Sequence, residues 1–135
     1  MNLVSVRVIT DDVARLVDFY ERVTRRSAIW GNAEFAEIGT TSGTLAIGST
    51  RTVGLFGPGS AESAANRSVI LEFIVEDVDA EYEALRSWVA EFVTAPTTMP
   101  WGNRALLLRD PDGNLVNLFT PVTDAAVAKF ATTSR

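Results

Sequence analysis

Residues 104–119 read RALLLRDPDGNLVNLF, two apolar runs on either side of Asp110-Pro111-Asp112-Gly113. Proline, aspartate and glycine in this order are typical of a tight turn. The stretch therefore predicts two strands, Arg104–Leu108 and Leu115–Phe119. Asp110 and Asp112 resemble a pair of catalytic carboxylates, but aspartates in a turn usually bond the backbone. We interpret both as turn-forming residues.

The segment before these strands predicts a strand, a helix and another strand. Residues 69–75 form a strongly apolar run, and Asp77 or Asp79 offers an N-cap for a helix. Phe92 and Val93 then indicate a short strand. The buried stripe of the helix is predicted at Val78, Tyr82, Leu85, Trp88 and Val89.

The first half of the chain repeats this order. Alternating residues 4–9 predict a strand, Asp11 or Asp12 begins a helix, and three short β-rich segments follow it. Three letter matches support a duplication, although an unduplicated α+β domain stays open. They pair Asp12-Val13 with Asp77-Val78, Trp30-Gly31-Asn32 with Trp101-Gly102-Asn103, and Gly43-Thr44-Leu45 with Gly113-Asn114-Leu115.

We therefore predict one α+β domain over residues 1–135, built from two tandem β-α-β-β-β modules. They are expected to form a cupped mixed β-sheet with the helices on its outer face. Module one covers about 3–50, a Gly-, Ala- and Ser-rich linker about 54–66, module two about 67–121, and a tail 122–135.

The composition excludes several classes of protein. The chain has no histidine and no cysteine, which removes Ser-His-Asp hydrolases, histidine metal sites and disulfides. A net charge of −5 argues against nucleic acid as a partner. No apolar run is long enough to span a membrane, and the N-terminus lacks the pattern of a secretory signal. We expect a cytoplasmic protein.

The module pattern resembles the glyoxalase, bleomycin-resistance and extradiol-dioxygenase superfamily, which has the vicinal oxygen chelate fold. Three stretches of the second half carry the resemblance: residues 73–79, Pro100–Arg104, and Arg109–Asn114 with its Asp-Pro-Asp-Gly-Asn segment. The resemblance covers roughly residues 3–121 and is specific for fold. It leaves function open, because the superfamily contains isomerases, dioxygenases, thiol transferases and non-catalytic drug binders.

The resemblance also implies where a metal would be held, at one position on the first and one on the last strand of each module. These positions fall on Ser5, Ile47, Ile70 and Asn117. A hydroxyl, two hydrocarbons and an amide do not offer the carboxylates or imidazoles that divalent ions prefer. We expect no metal and no cofactor, and we assign no catalytic residue.

The same positions predict the lining of an organic-ligand cavity. Alternation places Arg7 beside Ser5, and Glu72 beside Ile70, on the inner face of the sheet. Arg7 and Glu72 occupy equivalent repeat positions and either form an ion pair or orient a ligand. The set of candidate ligand-binding residues is completed by Trp30, Trp101 and Arg104, where Arg104 is otherwise a solvated charge.

Two functions remain open. The first is a metal-independent protein that binds a small organic molecule, such as an aromatic drug or metabolite, as the metal-free drug-binding relatives do. The second is an enzyme of the same superfamily with no metal or with one held weakly by Glu37, Glu72 or other carboxylates. A third possibility is a degenerate member that serves only as an interaction or dimerisation module. The superfamily commonly pairs chains, so a homodimer is expected.

Overall fold

The computed structural model describes all residues of the chain, Met1–Arg135, as two compact units, Met1–Asn66 and Arg67–Arg135. Each unit contains the order β-α-β-β-β, so the predicted α+β class and tandem modules are confirmed. The first unit comprises β1 (Ser5–Thr10), α1 (Val13–Thr24), β2 (Ile29–Asn32), β3 (Phe35–Gly39), β4 (Thr44–Ser49) and a 3₁₀ helix (Thr50–Leu55). The second comprises β5 (Ile70–Ile74), α2 (Val78–Leu85), β6 (Glu91–Thr98), β7 (Asn103–Arg109), β8 (Leu115–Pro121) and α3 (Asp124–Lys129).

Each unit has its own four-stranded mixed sheet. The strand orders are β1-β4-β3-β2 and β5-β8-β7-β6, which are the same order in the two modules. In each sheet the first strand of the module pairs in parallel with the last, and the other pairs are antiparallel. The helix between the first and second strands makes this parallel pairing possible, since a parallel pair needs a crossover connection.

Both helices begin at the predicted aspartates. The Asp12 side chain accepts a hydrogen bond from the backbone N–H of Arg15 at 3.0 Å. Asp77, rather than Asp79, caps α2 and accepts bonds from the backbone N–H groups of Asp79 and Ala80, both at 3.1 Å. Such caps satisfy donors that the first turn of a helix leaves unpaired. None of the helices is long and apolar enough to cross a membrane.

The core of each unit lies between its helix and one face of its sheet. Helix α1 packs on β3 and β4, and α2 packs on β6, β7 and β8. Each buried Val, Leu or Ile side chain contributes about 1.5–3 kcal/mol to stability relative to an exposed one. The sheet residues buried in this way are Ile38, Leu45 and Ile47 in the first unit, and Leu106, Leu108, Val116 and Leu118 in the second.

The Asp-Pro-Asp-Gly-Asn segment is a turn built around the buried carboxylate of Asp110. One oxygen, Oδ1, accepts hydrogen bonds from the backbone N–H groups of Asp112 and Asn114, both at 2.9 Å. The other oxygen accepts one from Nδ2 of Asn114 at 2.8 Å. Gly113 follows with a φ of +82°, a conformation that favours glycine. The turn-forming interpretation of Asp110 is therefore confirmed.

Two local predictions need correction. Helix α2 ends at Leu85, so Trp88 lies in the turns that follow and not on the helical stripe. The strand predicted at Phe92-Val93 extends over Glu91–Thr98. Its register with β7 shifts twice, which lets this edge strand accommodate Pro96 without losing its partner.

Candidate functional site

Each sheet has one face packed against α1 or α2, here called the covered face, and an opposite open face. Side chains alternate between faces along a strand, and paired residues of neighbouring strands share a face. The register therefore shows on which face of its sheet a strand residue lies. The first open face carries Ser5, Arg7, Ile9, Phe35, Glu37, Thr44, Ala46 and Gly48. The second carries Ile70, Glu72, Ile74, Leu107, Leu115, Asn117 and Phe119.

Arg7 lies on β1, an edge strand of the first sheet, and its side chain belongs to the first open face. Its guanidinium carbon lies over two aromatic rings, 4.6 Å from the centroid of Phe35 and 5.1 Å from that of Phe56. Phe35 begins β3, and Phe56 follows the 3₁₀ helix, so two elements meet at this side chain. A cation over a ring face is attracted by the quadrupole of the ring.

Gly48 keeps the neighbouring part of this face free of a side chain. A Cβ built on it would lie 3.3 Å from Oγ1 of Thr52, 3.6 Å from Cδ1 of Ile9 and 3.8 Å from Cδ2 of Phe35. A Cβ would therefore crowd only the hydroxyl of Thr52, whereas Ile9 and Phe35 would meet it at ordinary van der Waals distance.

The second open face is organised by Glu72 and Asn117. Glu72 and Asn117 pair directly across β5 and β8, and Nδ2 of Asn117 donates a 2.7 Å hydrogen bond to Oε2 of Glu72. The amide oxygen of Asn117 is shielded from solvent and has no hydrogen-bond donor. An unpaired shielded acceptor costs about 1–3 kcal/mol. Ile70 and Ile74 flank Glu72 along β5 on the same face.

Helix α3 covers one end of this second open face. The rings of Phe119 on β8 and Phe130 after α3 lie 5.3 Å apart. Phe119 is buried, whereas Ile70 at the other end of the face is 46% exposed. The exposed part of the face therefore surrounds Glu72.

Ile47 is not on the first open face, and its predicted placement there is wrong. It pairs with Val8, so it belongs to the covered face, where it is completely buried. Arg7 pairs with Ala46, just as the equivalent Glu72 pairs with Asn117. The counterpart of Asn117 is therefore Ala46, an offset of 117 − 46 = 71. The Gly43/Gly113 match gave 70, and a shift of one residue reverses the face.

Arg104 is also not on an open face. It shares the covered face with Thr120, whose hydroxyl accepts a 3.0 Å hydrogen bond from the backbone N–H of Val78 in α2. Arg104 donates to both carboxylate oxygens of Asp79, from Nε at 2.7 Å and from Nη2 at 2.9 Å. The structure does not bring Arg104 together with Glu72 or Asn117. The alternative interpretation, a solvated charge at the strand edge, misses this ion pair.

The two tryptophans occupy different structural positions, so they are not repeat partners as the letter match suggested. Trp30 lies within β2 and pairs with Ala36. Trp101 lies at the tip of the β6–β7 hairpin, where the backbone N–H of Gly102 donates to the carbonyl of Met99 at 2.9 Å. Trp101 is 69% exposed and Trp30 is 44% exposed. Both indoles therefore offer apolar surface outside the cores of their units.

The residues at the positions implied for metal ligands do not fit a divalent ion. In the first module they are Ser5 and, after the correction above, Ala46; in the second they are Ile70 and Asn117. Asn117 already donates to Glu72. The chain contains no group of three or more aspartate or glutamate side chains that could hold a metal.

Sequence reasoning missed Phe35, Phe56, Ala46 and Gly48. Alternation in β3 would have placed Phe35 beside Glu37. Phe56 stands in a segment interpreted as a linker, and its only signal was a large apolar pair, Leu55-Phe56, among small residues. Nothing in the spacing of residues along the chain shows that Phe56 contacts Arg7. The predicted pairing of Arg7 with Glu72 would join the two units and stays a prediction.

Comparison with known proteins supplies the family. A sequence model described as the Glyoxalase/Bleomycin resistance protein/Dioxygenase superfamily matches residues 2–118. The chain is 27% identical over 125 residues to the uncharacterized protein YraH of Bacillus subtilis, covering 88% of this chain and 98% of that protein.

Solved structures agree on the fold. A glyoxalase/bleomycin resistance protein/dioxygenase family enzyme from Burkholderia phytofirmans superposes with a TM-score of 0.79 at 19% identity, covering 90% of this chain and all (100%) of that one. A glyoxalase/bleomycin resistance protein/dioxygenase from Nocardioides gives 0.75 at 22% identity, covering 92% and 85%. At these identities the likeness concerns the fold and leaves the chemistry of the site to the residues themselves.

Proposed function

Because the chain belongs to the glyoxalase, bleomycin resistance protein and dioxygenase superfamily, we propose that it binds a small organic molecule on its open faces without a metal. The ligand is an aromatic drug or metabolite that the protein sequesters rather than converts. We propose as contacts the open-face residues and exposed indoles of each unit by itself: Ser5, Arg7 and Trp30 in the first unit, and Ile70, Glu72, Asn117 and Trp101 in the second.

The observation that carries this proposal is the Glu72–Asn117 pair. Its 2.7 Å hydrogen bond fixes one carboxylate oxygen of Glu72 and leaves the other for a ligand donor. Ile70 and Ile74 beside it supply apolar surface. A few oriented polar groups among apolar side chains are typical of sites for organic ligands.

The metal-free part of the proposal is supported by the residues at the implied ligand positions. Ser5, Ala46, Ile70 and Asn117 provide no carboxylate or imidazole, and divalent ions prefer those groups. The enzyme alternative requires turnover, so the fate of the bound compound separates the two functions.

The test begins with a thermal-shift screen of chelator-treated protein against aromatic antibiotics and small oxygenated acids. We expect at least one compound to raise the melting temperature, to bind equally well with and without added metal, and to be recovered unchanged. Elemental analysis of the purified protein is expected to show no stoichiometric zinc, iron, nickel or manganese. Conversion of the compound, or binding only with metal, would refute the proposal.

Variants then locate the compound. Glu72→Gln is expected to weaken binding about tenfold or more, the value of one charge-assisted hydrogen bond. Glu83→Gln is the matched control, because Glu83 lies on α2 and pairs with Arg86. Equal losses of affinity in Glu72→Gln and Glu83→Gln would show that net charge, and not the open face, controls binding.

We also propose that the protein acts in the cytoplasm as a homodimer. The dimer is supported by large apolar side chains exposed in both units, which association with a second copy would remove from water. They include Leu3, Val4 and Ile29 in the first unit and Val69 and Val93 in the second.

A further inference from the structure

Arg7 differs from the other strand arginines, because no acid in its unit neutralises it. Arg104 pairs with Asp79, and Arg109 lies 4.0 Å from Glu91. The Arg7 side chain has neither an ion pair nor a hydrogen bond within the first unit. Its contacts there are the rings of Phe35 and Phe56.

The acid on the same open face does not reach Arg7. Glu37 and Arg7 are both register partners of Ala46, so β4 separates the two charged residues. No ion pair joins them. The first open face therefore presents a guanidinium whose N–H donors have no acceptor in the unit.

The two rings hold the guanidinium without using its donors. A cation–π contact acts on the charge, whereas the five N–H groups of arginine recognise planar oxyanions such as carboxylates. Phe35 and Phe56 come from different elements, so the contact limits the positions that the long side chain adopts. Less side-chain freedom is then lost when an anion binds.

The surface beside the guanidinium is aromatic. Phe56 is 68% exposed and Leu55 is 88% exposed, so apolar area lies next to the charge. A ligand that uses both features has an anionic group and a flat apolar body. With one such arginine and a net charge of −5, the chain favours a monoanion over a polyanion.

We propose that Arg7, Phe35 and Phe56 form an anion subsite that takes the carboxylate of an aromatic organic acid. The proposal rests on the proposed binding function and specifies the chemical class of the ligand. The carboxylate binds the guanidinium edge, and the aromatic body of the acid lies against the ring of Phe56.

Two probes with the same ring system test the subsite, naphthoate and the neutral naphthalenemethanol. Both are titrated into isotope-labelled protein, and backbone amide shifts in β1, β3 and β4 report binding. We expect naphthoate to bind about tenfold more tightly than the alcohol, the value of a charge-assisted hydrogen bond. Arg7→Gln should remove this preference while the alcohol still binds.

Three further variants sharpen the test. Arg22→Gln removes the same charge from α1, where Arg22 pairs with Asp18, and should keep the preference for naphthoate. Arg7→Lys should keep part of the preference, because it retains charge without the planar fork. Phe56→Ala should weaken the binding of both probes by similar factors.

The outcomes separate this proposal from the binding function itself. Equal affinity of the two probes for the unmodified protein would overturn the anion subsite while organic-ligand binding stands. A naphthoate preference that survives Arg7→Gln would place the anion elsewhere and also overturn it. Failure of both probes, together with no compound found in the thermal-shift screen, would overturn the subsite and the binding function together.

Discussion

Asp79 and Arg104 connect the first turn of α2 to β7 through two hydrogen bonds between one carboxylate and one guanidinium. The bond from Arg104 lowers the pKa of Asp79 below its usual value, and the same bond raises the pKa of Arg104. The Asp79 side chain is more than half exposed, so solvent screens the pair and limits its contribution to stability.

The pH dependence of this pair follows from the direction of the shift. The pKa of Asp79 is lower in the folded chain than in the unfolded one, where it is near 3.8. The pair therefore stabilises the fold fully above that pH, and its contribution disappears as the pH falls through the lowered pKa. Asp79→Asn should cause a small loss of unfolding free energy at neutral pH, and a progressively smaller one in acid.

Urea unfolding of the unmodified protein and of Asp79→Asn, from neutral pH into acid, measures this difference in unfolding free energy. Arg104→Gln should follow the same pH profile, and the double variant should lose little more than either single one. If Asp79→Asn lost the same unfolding free energy at acid pH as at neutral pH, Asp79 would act through its place in the first turn of α2 rather than through Arg104.

At the scale of elements, Gly102 connects the β6–β7 hairpin to α3. It has a φ of +95°, and a Cβ built on it would lie only 2.1 Å from Oγ1 of Thr123. Thr123 is the N-cap of α3 and accepts from the backbone N–H of Ala126 at 3.3 Å. The carbonyl of Gly102 also accepts from Val122 at 2.9 Å. A side chain at residue 102 would therefore displace the start of α3.

Gly113 provides the matched control for this contact. It has a φ of +82°, but a Cβ there would meet nothing within 4 Å. Gly113→Ala should cost about 1–2 kcal/mol, the value of a left-handed conformation for alanine. Gly102→Ala should cost about 2–4 kcal/mol, because the clash with Thr123 adds to the same backbone term.

Denaturant unfolding gives the two free energies, and amide hydrogen exchange in α3 locates the change. We expect α3 to lose protection in Gly102→Ala and to keep it in Gly113→Ala. Equal costs for the two substitutions would mean that Thr123 moves aside without penalty and that the hairpin and α3 are independent.

The predictable part of the fold followed from local chemistry. The caps Asp12 and Asp77 and the turn at Asp110 depend on short-range hydrogen bonds, which spacing along the chain reveals. The face of a β4 residue depends instead on its register with β1. Ala46 and Ile47 are both apolar and adjacent, so no pattern of polarity could decide which one faces α1.

The same limit applied to the candidate site. Alternation within one strand was enough to place Ser5 and Arg7 on one face of β1, and Ile70 and Glu72 on one face of β5. The strand register agrees with both placements. Arg104 and Phe56 required knowledge of contacts between distant segments. Asp79 and Arg104 are 25 residues apart, and nothing local marks them as partners.

At the scale of the whole molecule, the proposed homodimer is tested by light scattering on fractionated protein. We expect twice the mass of one chain from micromolar to near-millimolar concentration, because association would cover exposed apolar side chains. Replacing Ile29 in the first unit and Val93 in the second with lysine, separately, should show which unit surface is used. A measured mass equal to that of one chain over the whole concentration range would contradict the dimer.

The equivalent positions Arg7 and Glu72 carry opposite charges on modules with the same strand order. The first open face therefore presents a cation and the second an anion. Because salt screens exposed charges, raising the ionic strength should weaken the binding of an anionic ligand on the first face and of a cationic ligand on the second.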